Sequence, residues 1–325
     1  MVTPLVIDTD TAADDCFALL VGLLDPRADL QAITIVAGNI DFTQQAHNAF
    51  LTMEKAGCAG EVPVHLGAST PLVRRWKSAS EVHGDGVGGQ RRNRADKPSE
   101  EHATDALIRT ATEHEGSLKI VAIGPLTNIA LAVRKDPDFA SRVAELVVMG
   151  GSINGRGNVT PAAEYNMYVD PEAADIVFRA GFPCLKVVSW DPLSINYAAF
   201  DQTRIAGVEA LGTELSDFFV KANAKTFDFN VQAGLTGSIH CDSLAALIAV
   251  DPGVVLEEKH YRMHVELFGE HTRGTTVFDW KAPLSEANVI AVERIDTDKF
   301  YSYIKTLLAT PVGTPLEATP PLTGC

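Results

Sequence analysis

The chain has 325 residues, is 46% hydrophobic and 21% charged, and carries a formal net charge of −15 at pH 7. Such a length and composition belong to a globular protein with a sizeable core, and the negative charge argues against binding to nucleic acid or to an anionic membrane surface. The five scattered cysteines, with no CxxC pair, argue against a disulfide framework and a zinc site. We find no signal-peptide pattern and no run near the roughly 20 apolar residues that span a bilayer, so we expect a cytoplasmic protein.

Short apolar runs alternate with amphipathic stretches along the first 190 residues. The apolar runs predict strands at residues 4–10, 30–39, 62–69, 118–124, 145–151 and 184–190. The stretches between them predict helices at residues 14–25, 44–58, 103–114, from about 126, and 170–181. Strands that alternate with helices form βαβ units. We therefore predict an α/β fold with an open, Rossmann-like, mostly parallel sheet flanked by helices, in a single domain over residues 1–325.

Other segments interrupt or follow this alternation. Residues 74–95 are polar, glycine-rich and locally basic, which predicts a mobile loop that could act as a lid. The region 200–250 is predicted to be mostly helical, and 258–295 to form antiparallel strands. The last segment, 309–325, is rich in proline and threonine and is expected to be a surface tail.

Four carboxylates lie within eight residues at the end of the first predicted strand and just after it, and the nearest basic residue after them is Arg27. Asp8 and Asp10 are two apart on a strand and share a face. Asp14 and Asp15 lie in the first turn of the next helix, where the helix dipole favours negative charge. If all four were ionised close together in a partly buried site, their repulsion and desolvation would cost too much free energy. Some must therefore be protonated, or a cation must bind among them. Carboxylate oxygens favour Ca²⁺ or Mg²⁺ over zinc.

The segment VIDTDTAADD resembles the DxDxxxDD signature of the inosine/uridine-type nucleoside hydrolases. Further blocks follow in the order found in that family: TIVAGN ending at Asn39, HGDGVGG at 83–89, GPLTNIALA at 124–132, VVMGG at 147–151, GNVTPAAEYNMYVDPEAA at 157–174 and TGSIHCDSLAA around Asp242. The resemblance covers about residues 4–250. It implies a nucleoside hydrolase fold and Ca²⁺-dependent cleavage of the N-glycosidic bond of ribonucleosides, giving free base and ribose. By analogy with the family, we also expect a homodimer or a homotetramer.

The resemblance assigns roles to individual residues. The implied calcium ligands are Asp10, Asp15, Asp242 and the main-chain carbonyl of Thr127, with Asp8 as a supporting acid. The implied sugar-binding residues are Asp14, Asn39 and Asn166 on the ribose hydroxyls, Asn158 and Glu164 on the 5′-hydroxyl, and Met149 on the pocket wall. A calcium-bound water, activated by Asp10 as the base, would attack the anomeric carbon. Carboxylates would stabilise the positive charge that develops on the sugar.

The residue that protonates the leaving base is open. Many members of the family carry a histidine directly before the last metal-binding aspartate, whereas this chain has His240-Cys241-Asp242. The candidates are His240, Cys241, His83 in the 74–95 loop, or none. The segment KTFDFN at 225–230 contains Phe227, a candidate wall for the base.

Two other functions compete with nucleoside hydrolysis. DTDTA resembles the start of haloacid-dehalogenase-type phosphatases, in which Asp8 would be the nucleophile. Against this, Ala12 replaces the expected Thr or Val, and the sequence has no GDxxxD motif. The remaining alternative is a non-catalytic nucleoside or sugar binder with a structural calcium ion.

Overall fold

A computed structural model describes residues 2–314 and residue 316. Its strands are β1 Thr3–Thr9, β2 Ala28–Ile35, β3 Val64–Leu66, β4 Lys119–Ala122, β5 Glu145–Met149, β6 Leu185–Val188, β7 Ala199–Phe200, β8 Ser238–Ile239, β9 Val255–Val265, β10 Thr276–Asp279 and β11 Val289–Ile295. Its helices are α1 Asp15–Leu24, α2 Phe42–Ala56, α3 Ser80–His83, α4 Ala103–Glu113, α5 Thr127–Lys135, α6 Phe139–Arg142, α7 Tyr165–Val169, α8 Pro171–Phe178, α9 Leu193–Tyr197, α10 Gln202–Glu209, α11 Glu214–Gln232, α12 Cys241–Val250 and α13 Thr297–Ala309.

Nine of the strands form one sheet in the order β10-β9-β11-β6-β5-β4-β1-β2-β3. Strands β1 to β6 pair in parallel, and β9 pairs antiparallel with both β10 and β11. The predicted open, mostly parallel sheet is therefore confirmed. The sequence did not show that β11 also pairs in parallel with β6, which joins the antiparallel edge to the parallel sheet.

Helices cover both faces of the sheet because the central strands are apolar on both sides. In β1, Leu5 and Ile7 belong to one core, and Val6 belongs to a second core on the opposite face. Helices α1, α2 and α12 pack on the first face, and α4, α5 and α8 pack on the second. Continuous apolar strands of this kind are typical of parallel sheets that helices bury on both sides.

The C-terminal region contains one helix that the sequence analysis did not predict. Helix α13 was not predicted, although its buried residues Phe300, Ile304, Leu307 and Leu308 recur at helical spacing and close the first core. The predicted tail overlaps its last residue, Ala309. Beyond it, Gly313 and Leu316 donate backbone hydrogen bonds to Ala56 and Leu24, at 3.1 and 2.8 Å. Residue 315 and residues 317–325 lie outside the described residues.

The segment 74–95 contains only the short helix α3, and its predicted mobility stays a prediction. In the described part of the chain, no helix is both long and apolar enough to cross a membrane.

Candidate active site

The acidic cluster lies where the carboxyl ends of parallel strands meet, which is the usual ligand site of open α/β sheets. Asp8 is the second-last residue of β1, and Asp14 directly precedes α1. Between them Ala13 has a φ of 47°, an uncommon value for a residue with a side chain. Its amide donates to the carbonyl of Gly86 at 2.7 Å, which ties the acidic turn to the 74–95 segment.

Asp10 is fully buried and is held by its neighbour strand. Its Oδ2 accepts a hydrogen bond of 2.8 Å from the amide of Asn39, just beyond β2. Its Oδ1 has no partner among the described residues. Gly124, after β4, approaches so closely that a Cβ there would lie 3.0 Å from Oδ1. One carboxylate oxygen is thus fixed while the other is free for a ligand.

The other acids complete the cluster. Asp15 accepts hydrogen bonds from the hydroxyl of Thr9 at 2.6 Å and from the side-chain amide of Asn39 at 3.2 Å. Asp14 Oδ2 accepts from the amide of Asp242, 228 positions further along the chain, at 3.3 Å. Asp242 Oδ1 is buried and is not hydrogen-bonded within the described ranges. Folding therefore brings Asp242 to the acids of the first turn.

Burial and mutual repulsion raise the pKa values of these acids. Burial first, and the neighbouring Asp14 second, raise the pKa of Asp15 to about 7. Burial raises the pKa values of Asp10 and Asp242 well above their ordinary range, with the charges of Asp15 on Asp10 and of Asp14 on Asp242 adding to it. These groups can all be ionised together only if a cation compensates them. The free oxygens Asp10 Oδ1 and Asp242 Oδ1 and the all-oxygen donor set fit a hard cation such as Ca²⁺.

Asp8 and Thr127 make hydrogen bonds to residues outside the acidic cluster. Asp8 Oδ1 accepts from the Thr34 hydroxyl at 2.6 Å and from the Asn128 amide at 2.8 Å, and burial raises its pKa to about 7. Thr127 begins α5, and its hydroxyl donates to Asp170 Oδ2 at 2.6 Å. None of Asp8, Asp10, Asp15 and Thr127 lines the cavity described next, whereas Asp14 and Asp242 do.

A cavity of about 410 Å³ opens above the acidic cluster. The predicted site residues that line it are Asp14, Asn39, His83, Met149, Asn158, Glu164, Asn166, Cys241 and Asp242. Phe229 and Asn230, within the proposed segment 225–230, also line it, and sequence reasoning missed other lining residues, among them Tyr165 and Trp190. A cavity of this size is suited to a small molecule with several polar groups.

Glu164 and Asn166 form one end of the cavity. Glu164 caps α7, with Oε1 accepting from the Asn166 amide at 2.9 Å and Oε2 from the Gly151 amide at 2.9 Å. Burial raises the pKa of Glu164 to about 7. Asn166 Nδ2 donates to the carbonyls of Ile123 and Met149, at 3.0 and 3.2 Å. Asn158 lies exposed on the rim of the cavity.

His83 lines the cavity, but His240 does not. The Nδ1 of His83 is buried and lacks a partner in the part of the chain that the structure describes, and burial together with Lys225 lowers its pKa to about 4. His240 is fully buried, stacks on Phe219 at 4.6 Å between ring centres, and also packs on Phe200. Burial lowers the pKa of His240 to about 3.

The two phenylalanines of the segment 225–230 lie in different places. Phe227 and Phe229 both lie on α11, but Phe227 packs close to Gly237, and Phe229 lines the cavity. Helical spacing places residues two apart on different faces. The sequence stretch did not show which face of α11 meets the cavity, and Phe227 is not among the lining residues.

The polar residues that support the acidic cluster were not predicted. Gln45 Nε2 donates to the carbonyl of Asp10 at 2.9 Å, and Asn48 Nδ2 donates to the carbonyl of Thr11 at 3.0 Å. Both lie on the buried face of α2, and Thr34 lies among the apolar residues of β2. In the sequence, the signal for such residues is a polar residue at a position where the apolar pattern of the helix or strand predicts burial.

The family model described as inosine-uridine preferring nucleoside hydrolase matches residues 5–302. The chain belongs to the inosine-uridine preferring nucleoside hydrolase family. It is thus an enzyme of the ribonucleoside hydrolase class, as the sequence resemblance implied. The non-specific ribonucleoside hydrolase RihC of Escherichia coli is 35% identical over 94% of this chain and 98% of its own length. The inosine-uridine preferring nucleoside hydrolase of Leishmania major is 33% identical over 92% of this chain and 95% of its own.

Solved nucleoside hydrolases share the fold. The plant nucleoside hydrolase PpNRh1 superposes with a TM-score of 0.87 at 30% identity, covering 95% of this chain and 99% of its own. The purine-preferring ribonucleoside hydrolase from Gardnerella vaginalis gives a TM-score of 0.86 at 28% identity, covering 94% of this chain and 98% of its own.

Proposed function

We propose that this nucleoside hydrolase cleaves the N-glycosidic bond of ribonucleosides to free base and ribose, and that it requires Ca²⁺. The carrying observation is the convergence of Asp10, Asp14, Asp15 and Asp242 beside a cavity of about 410 Å³, with free buried carboxylate oxygens and raised pKa values. The relatives named above, one of them a non-specific ribonucleoside hydrolase, support this substrate class.

The proposed calcium ligands are Asp10, Asp15, Asp242 and the main-chain carbonyl of Thr127. Asp8 would support them by fixing Asn128, which directly follows Thr127. When bound, the ion would neutralise the acids, anchor ribose hydroxyls and lower the pKa of a water. The family's calcium dependence comes to this chain from the resemblance, and the unpartnered oxygens support it.

Asp10 is the proposed general base. The Asn39 amide holds the carboxylate in place through Oδ2, and the carboxylate oxygen that does not bind the cation would take a proton from the attacking water. Cleavage of the C–N bond builds positive charge on the ribose ring, and the surrounding carboxylates would stabilise that charge. An acidic pocket thus favours the transition state over the neutral substrate.

The ribose would be bound from two sides. Asp14, Asn39 and Asn166 are proposed to hold the 2′- and 3′-hydroxyls, and Asn158 and Glu164 the 5′-hydroxyl. Met149 would line the sugar pocket. All six residues line the cavity, which supports this arrangement.

For protonation of the leaving base, the structure favours His83 over the other two candidates. His240 is enclosed by Phe219 and Phe200, away from the cavity lining. Cys241 reaches the cavity, but its Sγ lies 3.4 Å from Asp14 Oδ2, and burial raises the pKa of its thiol. His83 lines the cavity and its buried Nδ1 has no partner among the described residues; because its pKa is lowered to about 4, this role requires that bound substrate raise that pKa. Phe229 and Trp190 would flank the base.

The phosphatase alternative is not favoured. A nucleophilic Asp8 would have to reach substrate, whereas Asp8 is fully buried, does not line the cavity, and has its Oδ1 bonded to Thr34 and Asn128.

The test is ribose release from inosine, uridine, adenosine and cytidine. We expect hydrolysis that EDTA abolishes and added Ca²⁺ restores. Ribose release that continues in excess EDTA would contradict the calcium mechanism. Calorimetric binding of nucleosides without any turnover would instead support a binding protein. Sedimentation of the same sample would test the predicted homodimer or homotetramer.

A further inference from the structure

Asp170 is a fully buried carboxylate whose two oxygens bind different segments of the chain. Its Oδ1 accepts a hydrogen bond of 3.0 Å from the amide of Ala173 and so caps α8. Its Oδ2 accepts from the hydroxyl of Thr127 at 2.6 Å and from the amide of Leu72, in the loop after β3, at 2.8 Å. Asp170 thus joins the first residue of α5 to two other segments.

Helix capping alone does not account for this arrangement. Asp201 and Asp296 cap α10 and α13 through one oxygen each, at 2.8 and 2.9 Å, and both residues are partly exposed. A cap of this kind needs only one side-chain oxygen, and complete burial of a carboxylate is costly. The second oxygen of Asp170 therefore has a role beyond the cap, and the side chain that it binds is that of Thr127.

The peptide that follows Thr127 is flanked by two anchored side chains. The hydroxyl of Thr127 is bound to Asp170, and the side-chain amide of Asn128 donates to Asp8 Oδ1 at 2.8 Å. Asn128 Oδ1 in turn accepts from the amide of Ala68 at 2.8 Å. The main-chain carbonyl of Thr127 belongs to the peptide between these two side chains. Their hydrogen bonds therefore restrict the rotation of that carbonyl.

A carbonyl of fixed direction is valuable in a calcium site. Calcium affinity depends on the charge of the ligands and on the rigidity of the site. The carbonyl of Thr127 is the one neutral ligand in the proposed set, so it has no net charge to draw it to the ion. Its orientation must come from the surrounding protein.

We infer that Asp170 is a positioning residue for the proposed calcium site, on which this role depends. Through the hydroxyl of Thr127, Asp170 holds the main-chain carbonyl of Thr127 in the direction that binds the ion. Both oxygens of Asp170 are already hydrogen-bonded, so it acts through Thr127 and not as a ligand itself. Removal of the hydroxyl should therefore weaken calcium binding although the ligand atom stays in the chain.

Calorimetric titration of Ca²⁺ into chelator-treated protein without nucleoside tests this role. Thr127→Val removes the hydroxyl and leaves the main-chain carbonyl in place. Because loss of an outer partner costs about 10–100-fold in metal affinity, Thr127→Val should bind Ca²⁺ about 10–100-fold more weakly than wild type. Thr127→Ser, which keeps a hydroxyl, should recover most of that loss. The matched control is Thr104→Val in the first turn of α4, where the buried hydroxyl has no partner in the described part of the chain, and its affinity should match that of wild type.

A double-mutant cycle separates the Thr127 contact from the charge of Asp170. Asp170→Asn should weaken Ca²⁺ binding in the wild-type background and should have little further effect in Thr127→Val. An equal loss in both backgrounds would show that the charge of Asp170 acts on the ion directly, and would overturn the inference. A wild-type affinity in Thr127→Val would overturn it as well.

Circular dichroism checks folding, and Thr127→Ala replaces the valine variant if that variant does not fold. The measurement needs no turnover, so its result is independent of whether ribonucleosides are hydrolysed. A wild-type protein that binds no Ca²⁺ would refute the proposed calcium site and this role of Asp170 together. Unchanged binding in the Thr127 variants would refute the role of Asp170 alone.

Discussion

The carboxylate of Asp10 fills the space that a side chain on Gly38 would need. A Cβ on Gly38 would lie 2.6 Å from the carboxylate carbon of Asp10 and would overlap Oδ2. The next amide, that of Asn39, donates to the same oxygen at 2.8 Å. The carbonyl of Gly38 accepts from Trp76 Nε1 at 2.9 Å. The backbone after β2 thus packs directly against the carboxylate of Asp10, the proposed base.

Gly38→Ala should therefore displace Asp10. We expect hydrolysis to fall about 100-fold, because a shift of roughly 1 Å at a catalytic group has effects of this size. The matched control is Gly207→Ala in α10, where a Cβ meets nothing within 4 Å. The control should keep its activity and gain up to about 1 kcal/mol in stability. Steady-state ribose release and thermal unfolding measure both. A Gly38→Ala enzyme with wild-type rates would refute the role given to this contact.

Asp10→Asn tests the proposed base directly. Loss of a general base should lower kcat by about 10²–10⁴-fold. In EDTA the variant should be at least as stable as wild type, since it removes repulsion between Asp10 and Asp15. The control is Asp29→Asn, an exposed carboxylate on β2. Chemical denaturation and ribose release are the measurements, and a variant with normal kcat would exclude Asp10 as the base.

His83 can be tested by changing the leaving group. His83→Ala should lower kcat for inosine by about 10²-fold or more, the usual contribution of a general acid. It should have little effect on a riboside with a p-nitrophenolate leaving group, which departs without protonation. His47→Ala, an exposed histidine on α2, is the control. Equal losses on both substrates would indicate a structural role.

His240 is expected to matter for packing and not for chemistry. Its two ring nitrogens are buried without partners among the described residues, and unsatisfied groups of this kind cost about 1–3 kcal/mol. His240→Phe should therefore fold with at least the stability of wild type and should keep its hydrolytic rate. A stable His240→Phe protein that has lost kcat would return His240 to the list of catalytic candidates.

Glu164 should make stability depend on pH. Burial raises its pKa from 4.5 to about 7, so the folded protein binds this proton more tightly than the unfolded chain does. The resulting stabilisation is complete below pH 4.5 and is lost as the pH rises toward 7. This group should lower the unfolding free energy by roughly 2–3 kcal/mol between about pH 5 and pH 8.

Glu164→Gln should show a correspondingly smaller fall over that range. The exposed Glu115→Gln should follow wild type. Urea denaturation in EDTA at each pH provides the measurement. An identical pH profile for wild type and Glu164→Gln would show that this carboxyl does not titrate in the range.

The sequence by itself determined the fold class and predicted the acidic cluster. Buried parallel strands require continuous apolar runs, and those runs can be read directly from residues such as 4–10 and 118–124. Four closely spaced acids without a basic partner also indicate a cation, because their mutual repulsion needs a compensating positive charge.

Only the tertiary structure decided which of several plausible side chains face the cavity. His240 and Cys241 are adjacent, yet one lies among aromatic rings and the other lines the cavity. Phe227 and Phe229 separate in the same way. The direction of a side chain depends on how its helix packs against distant segments, here α11 and α12 against α1 and the 74–95 loop. Composition and spacing do not carry that information, because contacts between residues far apart in the chain determine it.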